Sequence, residues 1–234
     1  MKVKIVAVLA AATALSFTAV GSAAAQPLGP AQPAQVNGVR LQAAMLAPSA
    51  FGSGYTFEEA LNSGTKLQST HAKDHVPSMS CNAFEDKVYI SSFGDTAGAV
   101  LRYSNPNWFS SYPNTVVQGD EYVLQFATNA AAATFYSQAQ AKYAACSTLN
   151  EPFFKTTAEV DTLSVAKTTI SGNKAFVVTQ RLTAPGYKVL YLLYLYVVSG
   201  TDVYDLSDIS GTNDEPSHAL MSQLIHRVKA LYPH

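Results

Sequence analysis

Val189 to Val198 reads VLYLLYLYVV, ten residues without a charge and with apolar side chains on both faces. That pattern predicts a central strand covered on both sides. It is too short to span a bilayer, which takes about 20 residues. Before it, Asp161–Ile170 and Asn173–Thr183 read as strands joined at Ser171-Gly172 in a hairpin, and Pro185-Gly186 marks the next turn. After it, Ser199-Gly200 leads into a strand over Val203–Ile209. Further upstream, Ala99–Ser104 predicts a strand, and Thr115–Phe126 predicts paired strands around a Gln118-Gly119-Asp120 turn.

Helical spacing appears in three places. Ser80 can cap a helix from Cys81 to about Val88. Asn129 is placed to cap an Ala-rich helix whose stripe is Phe135, Ala139, Tyr143 and Cys146. The last helix carries Leu220, Leu224, Val228 and Leu231 on one face, joined by Ile225. Asn213 or Asp214 is its expected cap, and Arg227 and Lys229 suit its C-terminal dipole. Leu46 to Phe51 reads as a short helix stopped at Gly52 and Gly54. Residues 62–79, 105–114 and 147–160 read as loops. Tight turns between strands imply antiparallel pairing, so the fold class is α+β: a mostly antiparallel sheet packed by helices.

The N-terminus alters where this fold is expected to work. Lys2 and Lys4 precede an apolar run from Ile5 to Val20, and Ala23-Ala24-Ala25 supplies an A-x-A cleavage pattern. Residues 1–25 therefore read as a secretory signal peptide, with an uncleaved anchor as the alternative. Residues 26–40, with Pro27, Pro30 and Pro33, read as an extended leader, and 41–234 as a single domain. The expected location is secreted or in the cell envelope, with no stable membrane span after cleavage. Charged residues make up 13% of the chain against about a quarter in an ordinary globular protein, so hydroxyls and amides must carry much of the surface. The formal charge of −1 becomes more negative once Lys2 and Lys4 are removed, which argues against a nucleic-acid partner. Cys81 and Cys146 are the two cysteines. Outside the cytoplasm they are expected to form the single possible intramolecular disulfide, with two buried thiols as the alternative.

The order of these features resembles the PknH-like extracellular sensor domain, the outer part of some mycobacterial receptor serine/threonine kinases and of other exported actinobacterial proteins. The resemblance covers roughly 41–232. It rests on Leu46-Ala47-Pro48, on Cys81 after a polar Pro-containing loop, and on Tyr143-Ala144-Ala145-Cys146 at a helix end. Gln180-Arg181-Leu182, Asp202-Val203-Tyr204-Asp205-Leu206 and the closing amphipathic helix complete it. Such domains commonly carry a second disulfide; here Gln180 stands where one cysteine would be and about Ile209 near the other. The resemblance implies a mixed helix and sheet domain with a large cleft for an extracellular ligand, and no catalysis.

Candidate chemistry is sparse. Ser63-Lys66, Ser164-Lys167 and Ser171-Lys174 match S-x-x-K, the nucleophile pattern of penicillin-interacting enzymes, but a four-residue pattern recurs by chance and no K-T-G accompanies it. His71 and His75 are four apart but sit in a loop-like stretch without an evident third ligand. Asp95-Thr96-Ala97 has no second copy to supply a carboxylate pair. No cofactor or metal is expected. The 13 tyrosines are more suggestive. Tyr194 and Tyr196 share one strand face, Trp108 and Tyr112 cluster in a loop, and Arg181 lies opposite Phe176, Val178 and Leu182. Tyrosine offers flat apolar area with a hydroxyl, suited to a glycan or small organic molecule. Arg181 can hold an anion or pair structurally, with Asp205 as the suggested partner. The expected function is reversible capture of an extracellular ligand. A cell-envelope interaction protein and an extracellular hydrolase are the alternatives.

Overall fold

The computed structural model describes residues 37–62, 76–87, 95–105, 116–153 and 156–232; the expected signal peptide, Trp108, Tyr112, Ser63, His71 and His75 lie outside them. Eight strands form one antiparallel sheet in the order β1-β2-β3-β8-β7-β6-β5-β4. They are β1 (Thr56–Asn62), β2 (Asp95–Ser104), β3 (Val116–Phe126), β4 (Thr148–Phe153), β5 (Thr156–Ile170), β6 (Asn173–Thr183), β7 (Leu190–Ser199) and β8 (Asp202–Ser210). Among the described residues the α-helices are α1 (Gly38–Ala44), α2 (Cys81–Lys87), α3 (Asn129–Ala145) and α4 (His218–Lys229). The α+β class and the mostly antiparallel sheet are as the sequence predicts.

β7 lies inside the sheet, between β8 and β6, as its two apolar faces require. The β5–β6 turn puts Ser171 at φ 49° and Gly172 at φ 76°, the left-handed pair of a tight hairpin. One face of the sheet is covered by α1 and α4, whose Leu41, Ala44, Met221, Leu224 and Val228 pack on Leu101, Val123, Val177, Leu195 and Leu206. The other is covered by α3, whose Ala132, Phe135, Ala139 and Tyr143 pack on Tyr122, Leu124, Phe176, Val178 and Tyr196. α3 links β3, in the middle of the sheet, to β4 at its edge.

Several elements differ from expectation for identifiable reasons. β3 is one strand; the residues read as a turn lie in its interior. Gly119 is there because a Cβ would meet Tyr103 Cε2 at 2.6 Å and the Ser207 carbonyl oxygen at 2.7 Å. β4 and the start of β5 occupy the expected loop 147–160. Pro152 tolerates a strand because β4 is an edge. The leader is not extended as far as Arg40: Asn37 caps α1, its side chain accepting from the Arg40 N–H at 3.0 Å. Thr128, not Asn129, caps α3, and Ser217, not Asn213 or Asp214, caps α4. β1 was not expected at all; its alternation is interrupted by a register shift between Phe57 and Glu59.

Polar ties fasten the helical layer to the sheet on the α1/α4 face. Glu121 is fully buried, and both of its carboxyl oxygens lie within hydrogen-bond reach of the Leu46 N–H, at 2.9 and 3.0 Å. Beyond α4, the Tyr232 hydroxyl donates to Asp202 Oδ1 at 2.7 Å and accepts from Gln125 Nε2.

Candidate functional site

Cys81 and Cys146 are bonded, with Cα atoms 5.6 Å apart, joining the start of α2 to the end of α3. Around this bridge Leu149, Leu182 and Leu190 are buried, with Leu192 and Ile209 packed against them. The α3 side of the sheet is thereby held at one end of the helix, and its sheet residues fall into rows set by register. Val100, Tyr122, Asp205, Tyr196 and Phe176 face one another across β2, β3, β8, β7 and β6. The next row is Arg102, Asp120, Ser207, Tyr194 and Val178. Beyond it come Gln118, Ile209, Leu192 and Gln180. Rows on the same face are about 7 Å apart along the strands.

α3 covers the first row. The Tyr143 hydroxyl lies 3.3 Å from that of Tyr196, and Tyr196 stacks on Phe176 with ring centroids 4.8 Å apart. Over the second and third rows the sheet face opens into a hollow of about 190 Å³, lined by Arg102, Gln118, Gly119, Asp120, Leu192, Tyr194, Ser207, Asp208 and Ile209. Within it Arg102 Nε donates to Asp120 Oδ1 at 2.8 Å. The Arg102 side chain is 32% exposed and that of Asp120 only 10%, so the pair is anchored at its acidic end and open at its basic end. Ser207 stands beside Asp120 in the row. Leu192 and Ile209 supply an apolar end, and Tyr194 borders the hollow.

Strand alternation turns the Asp208 side chain to the opposite face and Gly119 has none, so these two border the hollow through their backbone. There burial first, and then the charge of Asp208, raise the titration of the Tyr103 and Tyr55 phenols. The Asp208 carboxyl itself is pushed up to about 7, first by burial and then by the charge of Asp120.

The structure divides the expected binding residues. Tyr194 borders the hollow but is only 5% exposed and packs on Tyr143 of α3 with ring centroids 5.4 Å apart, and Tyr196 is fully buried beneath α3. Arg181 is on the other face of the sheet and does not meet the tyrosines. Its suggested partner Asp205 is buried on the α3 face. Arg181 Nη2 instead pairs at 2.7 Å with Asp161 Oδ2, its cross-strand neighbour, which lowers the Asp161 titration through that hydrogen bond. Arg102, Asp120 and Ser207 were not singled out by sequence. A charged residue inside an apolar strand, such as Arg102 between Leu101 and Tyr103, was the available signal.

The expected second-disulfide positions also change. Gln180 and Ile209 both pair with Leu192, one from each side. They are two strand spacings apart, about 9–10 Å, and cystine bridges need Cα atoms within about 7 Å. These two positions are not an equivalent of a second bridge. Ser171 Oγ donates to Ser222 Oγ, tying the hairpin tip to α4 rather than meeting a lysine. Among the described residues no group of three metal-ligating side chains occurs, and no helix is long and apolar enough to cross a membrane.

No protein-family model matches the chain, and no curated protein sequence does. Among solved structures it is similar to the extracellular domain of PknH from Mycobacterium tuberculosis, with a TM-score of 0.57 and 18% sequence identity over 85% of this chain and 98% of that one. What the two share at this identity is a fold: the chain folds like the PknH extracellular domain.

Proposed function

We propose that this protein is an exported, sensor-like module that reversibly captures a small molecule, or one unit of a larger glycan, in the hollow on the α3 face. The observation that carries this reading is the opening of the sheet beyond α3. There an ion pair buried at its acidic end, Arg102–Asp120, shares a row with Ser207 and Tyr194, beside an apolar end formed by Leu192 and Ile209. Concave sites with mostly apolar walls and a few convergent polar groups are where small ligands bind. The fold it shares with a kinase ectodomain supports an extracellular role. So does the Cys81–Cys146 bridge, since disulfides persist in oxidising compartments. The N-terminal pattern of charge, apolar run and A-x-A supports export. The module acts without chemistry of its own: the Arg102–Asp120 pair orients, the tyrosine and aliphatic groups supply area, and the disulfide keeps α2 and α3 in place.

Thermal-shift screening of the disulfide-bonded protein against cell-wall glycan fragments and metabolites tests this. A ligand that binds only the folded state raises the melting temperature saturably. We expect at least one compound to do so, with the shift lost in Arg102→Ala. A screen without a saturable shift, or a shift that survives both Arg102→Ala and Tyr194→Ala, overturns the reading.

A further inference from the structure

We propose that the open edge of β5 is a docking site for an extended segment of another protein, added as an antiparallel strand with an acidic side chain opposite Lys167. The site is separate from the hollow and does not depend on it. β5 has 15 residues and β4 only 6. Their pairing runs from Phe153↔Thr156 to Thr148↔Asp161, and the Thr162 N–H then donates to the Ser147 carbonyl. Past that point, among the described residues, no strand lies on the outer side of residues 163–170. The edge of β4 is engaged by α2 instead, where Asn82 Nδ2 donates to the Asn150 carbonyl at 2.7 Å.

Hairpin geometry settles which backbone groups point outward. Ser171 and Gly172 form a two-residue turn closed by the Ile170–Asn173 pair. The closing residues of such a turn exchange hydrogen bonds, and inward and outward residues then alternate along the strand. Thr168, Ala166 and Ser164 therefore turn their N–H and C=O groups to β6, and Val165, Lys167 and Thr169 turn theirs away from it. Ser164, Ala166, Lys167 and Thr169 are exposed, and Leu163 is 48% exposed where the strand bulges. Val165, Thr168 and Thr169 are β-branched, which suits an extended chain. A row of outward backbone groups of this kind is a template for a strand from another chain.

Charge selects the occupant. Lys167 and Lys174 are both exposed, and neither makes an ion pair among the described residues. Lys167 pairs with Phe176 and so shares its α3 face, as does Lys174 two residues before Phe176. α3 itself contains no acidic residue. The β5 carboxylates of Glu159 and Asp161 lie in the part of the strand paired with β4, and Asp161 joins Arg181 on the other face. A strand added beside β5 thus meets uncompensated positive charge on the α3 face. Opposite charges across a strand pair attract, and like charges directly opposite destabilise it. A second copy of this chain is disfavoured for the same reason. The two-fold pairing that engages Val165, Lys167 and Thr169 together sets Lys167 against its own equivalent, and an edge lysine is a recognised guard against self-pairing.

The test is a titration of the isotopically labelled, disulfide-bonded protein with a short threonine–valine peptide carrying one central glutamate, followed through the backbone amides. Two control peptides run beside it. One has lysine in place of the glutamate, and the other is N-methylated at the glutamate and at every second residue from it. The expected result is saturable shifts concentrated on residues 163–169. The glutamate peptide should bind about fivefold more tightly than the lysine peptide, the scale of a cross-strand charge pair, and the N-methylated peptide should not bind. Lys167→Glu, a substitution at an exposed position, should leave the melting temperature within a few degrees and reverse the preference between the two charged peptides. Shifts absent from β5, a preference that Lys167→Glu leaves unchanged, or binding that survives N-methylation would each overturn the inference. Concentration-dependent shifts along β5 without any peptide would overturn it in favour of a second copy.

Discussion

Gly119 shows how one residue governs both strand continuity and packing. Its missing Cβ lets the Tyr103 ring lie across β3, where Phe51 stacks on it with centroids 3.7 Å apart. The Ser207 backbone oxygen, at 2.7 Å from the absent Cβ, cannot swing away like a flexible side chain. Gly119→Ala should therefore destabilise by about 1–3 kcal/mol, as overpacking does, read as a lower midpoint in urea with an unchanged slope. Glu121 makes a second residue-level prediction. Burial pushes its carboxyl from the ordinary 4.5 up to about 8, although the Leu46 N–H and Arg227 pull it down. The folded chain thus keeps a proton that the unfolded chain releases between these values. Stability falls as pH rises through that window and is lowest above 8. Glu121→Gln retains an acceptor for Leu46 and removes the charge. It should flatten this slope and raise stability at pH 8.5, by up to about 5 kcal/mol at 1.36 kcal/mol per unit. A variant that melts below the parent at pH 8.5 would show that the charged carboxylate is itself stabilising. These residues were hard to read because Gly-Asp in a strand looks like a turn. What distinguishes them is a long-range neighbour, Tyr103, that local pattern does not contain.

The elements with strong periodicity were legible. The β5–β6 hairpin, β7 and the buried stripes of α3 and α4 all follow from spacing. β1 and β4 were not, because edge strands need only one partner and tolerate a bulge or Pro152. Caps slipped by one to four residues because several Asn, Asp, Ser and Thr precede each helix, and tertiary packing chooses among them. The ties between elements give two predictions. Replacing Cys81 and Cys146 together by Ser frees a loop with a separation of 65 residues and should cost roughly 4 kcal/mol on the chain-entropy account. Chemical denaturation of the double variant measures it. Tyr232→Phe removes the hydroxyl that joins Asp202 to Gln125 and should cost about 1–3 kcal/mol. Its signature is faster amide exchange in the last turn of α4, with the β6–β7 amides unchanged.

At the scale of the molecule, the sheet separates two kinds of work. The α1/α4 face is closed by helices and polar ties, and the α3 face is closed over Tyr122 and Tyr196 but leaves a hollow bordered by Arg102, Asp120 and Tyr194. Of the tyrosines the sequence singled out on β7, Tyr194 borders the hollow and Tyr196 does not. The other residues could not be assembled from one chain read linearly, since Arg102, Asp120 and Ser207 come from three strands aligned only by register. Arg181 was read as a candidate from its strand alone; it lies on β6, four strands from Arg102 on β2, and on the opposite face. The most direct test is the amide spectrum of the isotopically labelled, disulfide-bonded protein, recorded during titration with whichever compound the thermal screen selects. The account predicts saturable shifts concentrated at Arg102, Gly119, Asp120, Tyr194, Ser207 and Asp208, and little change at Arg181 or along α4. Shifts centred on the α1/α4 face, with the hollow unmoved, would contradict it.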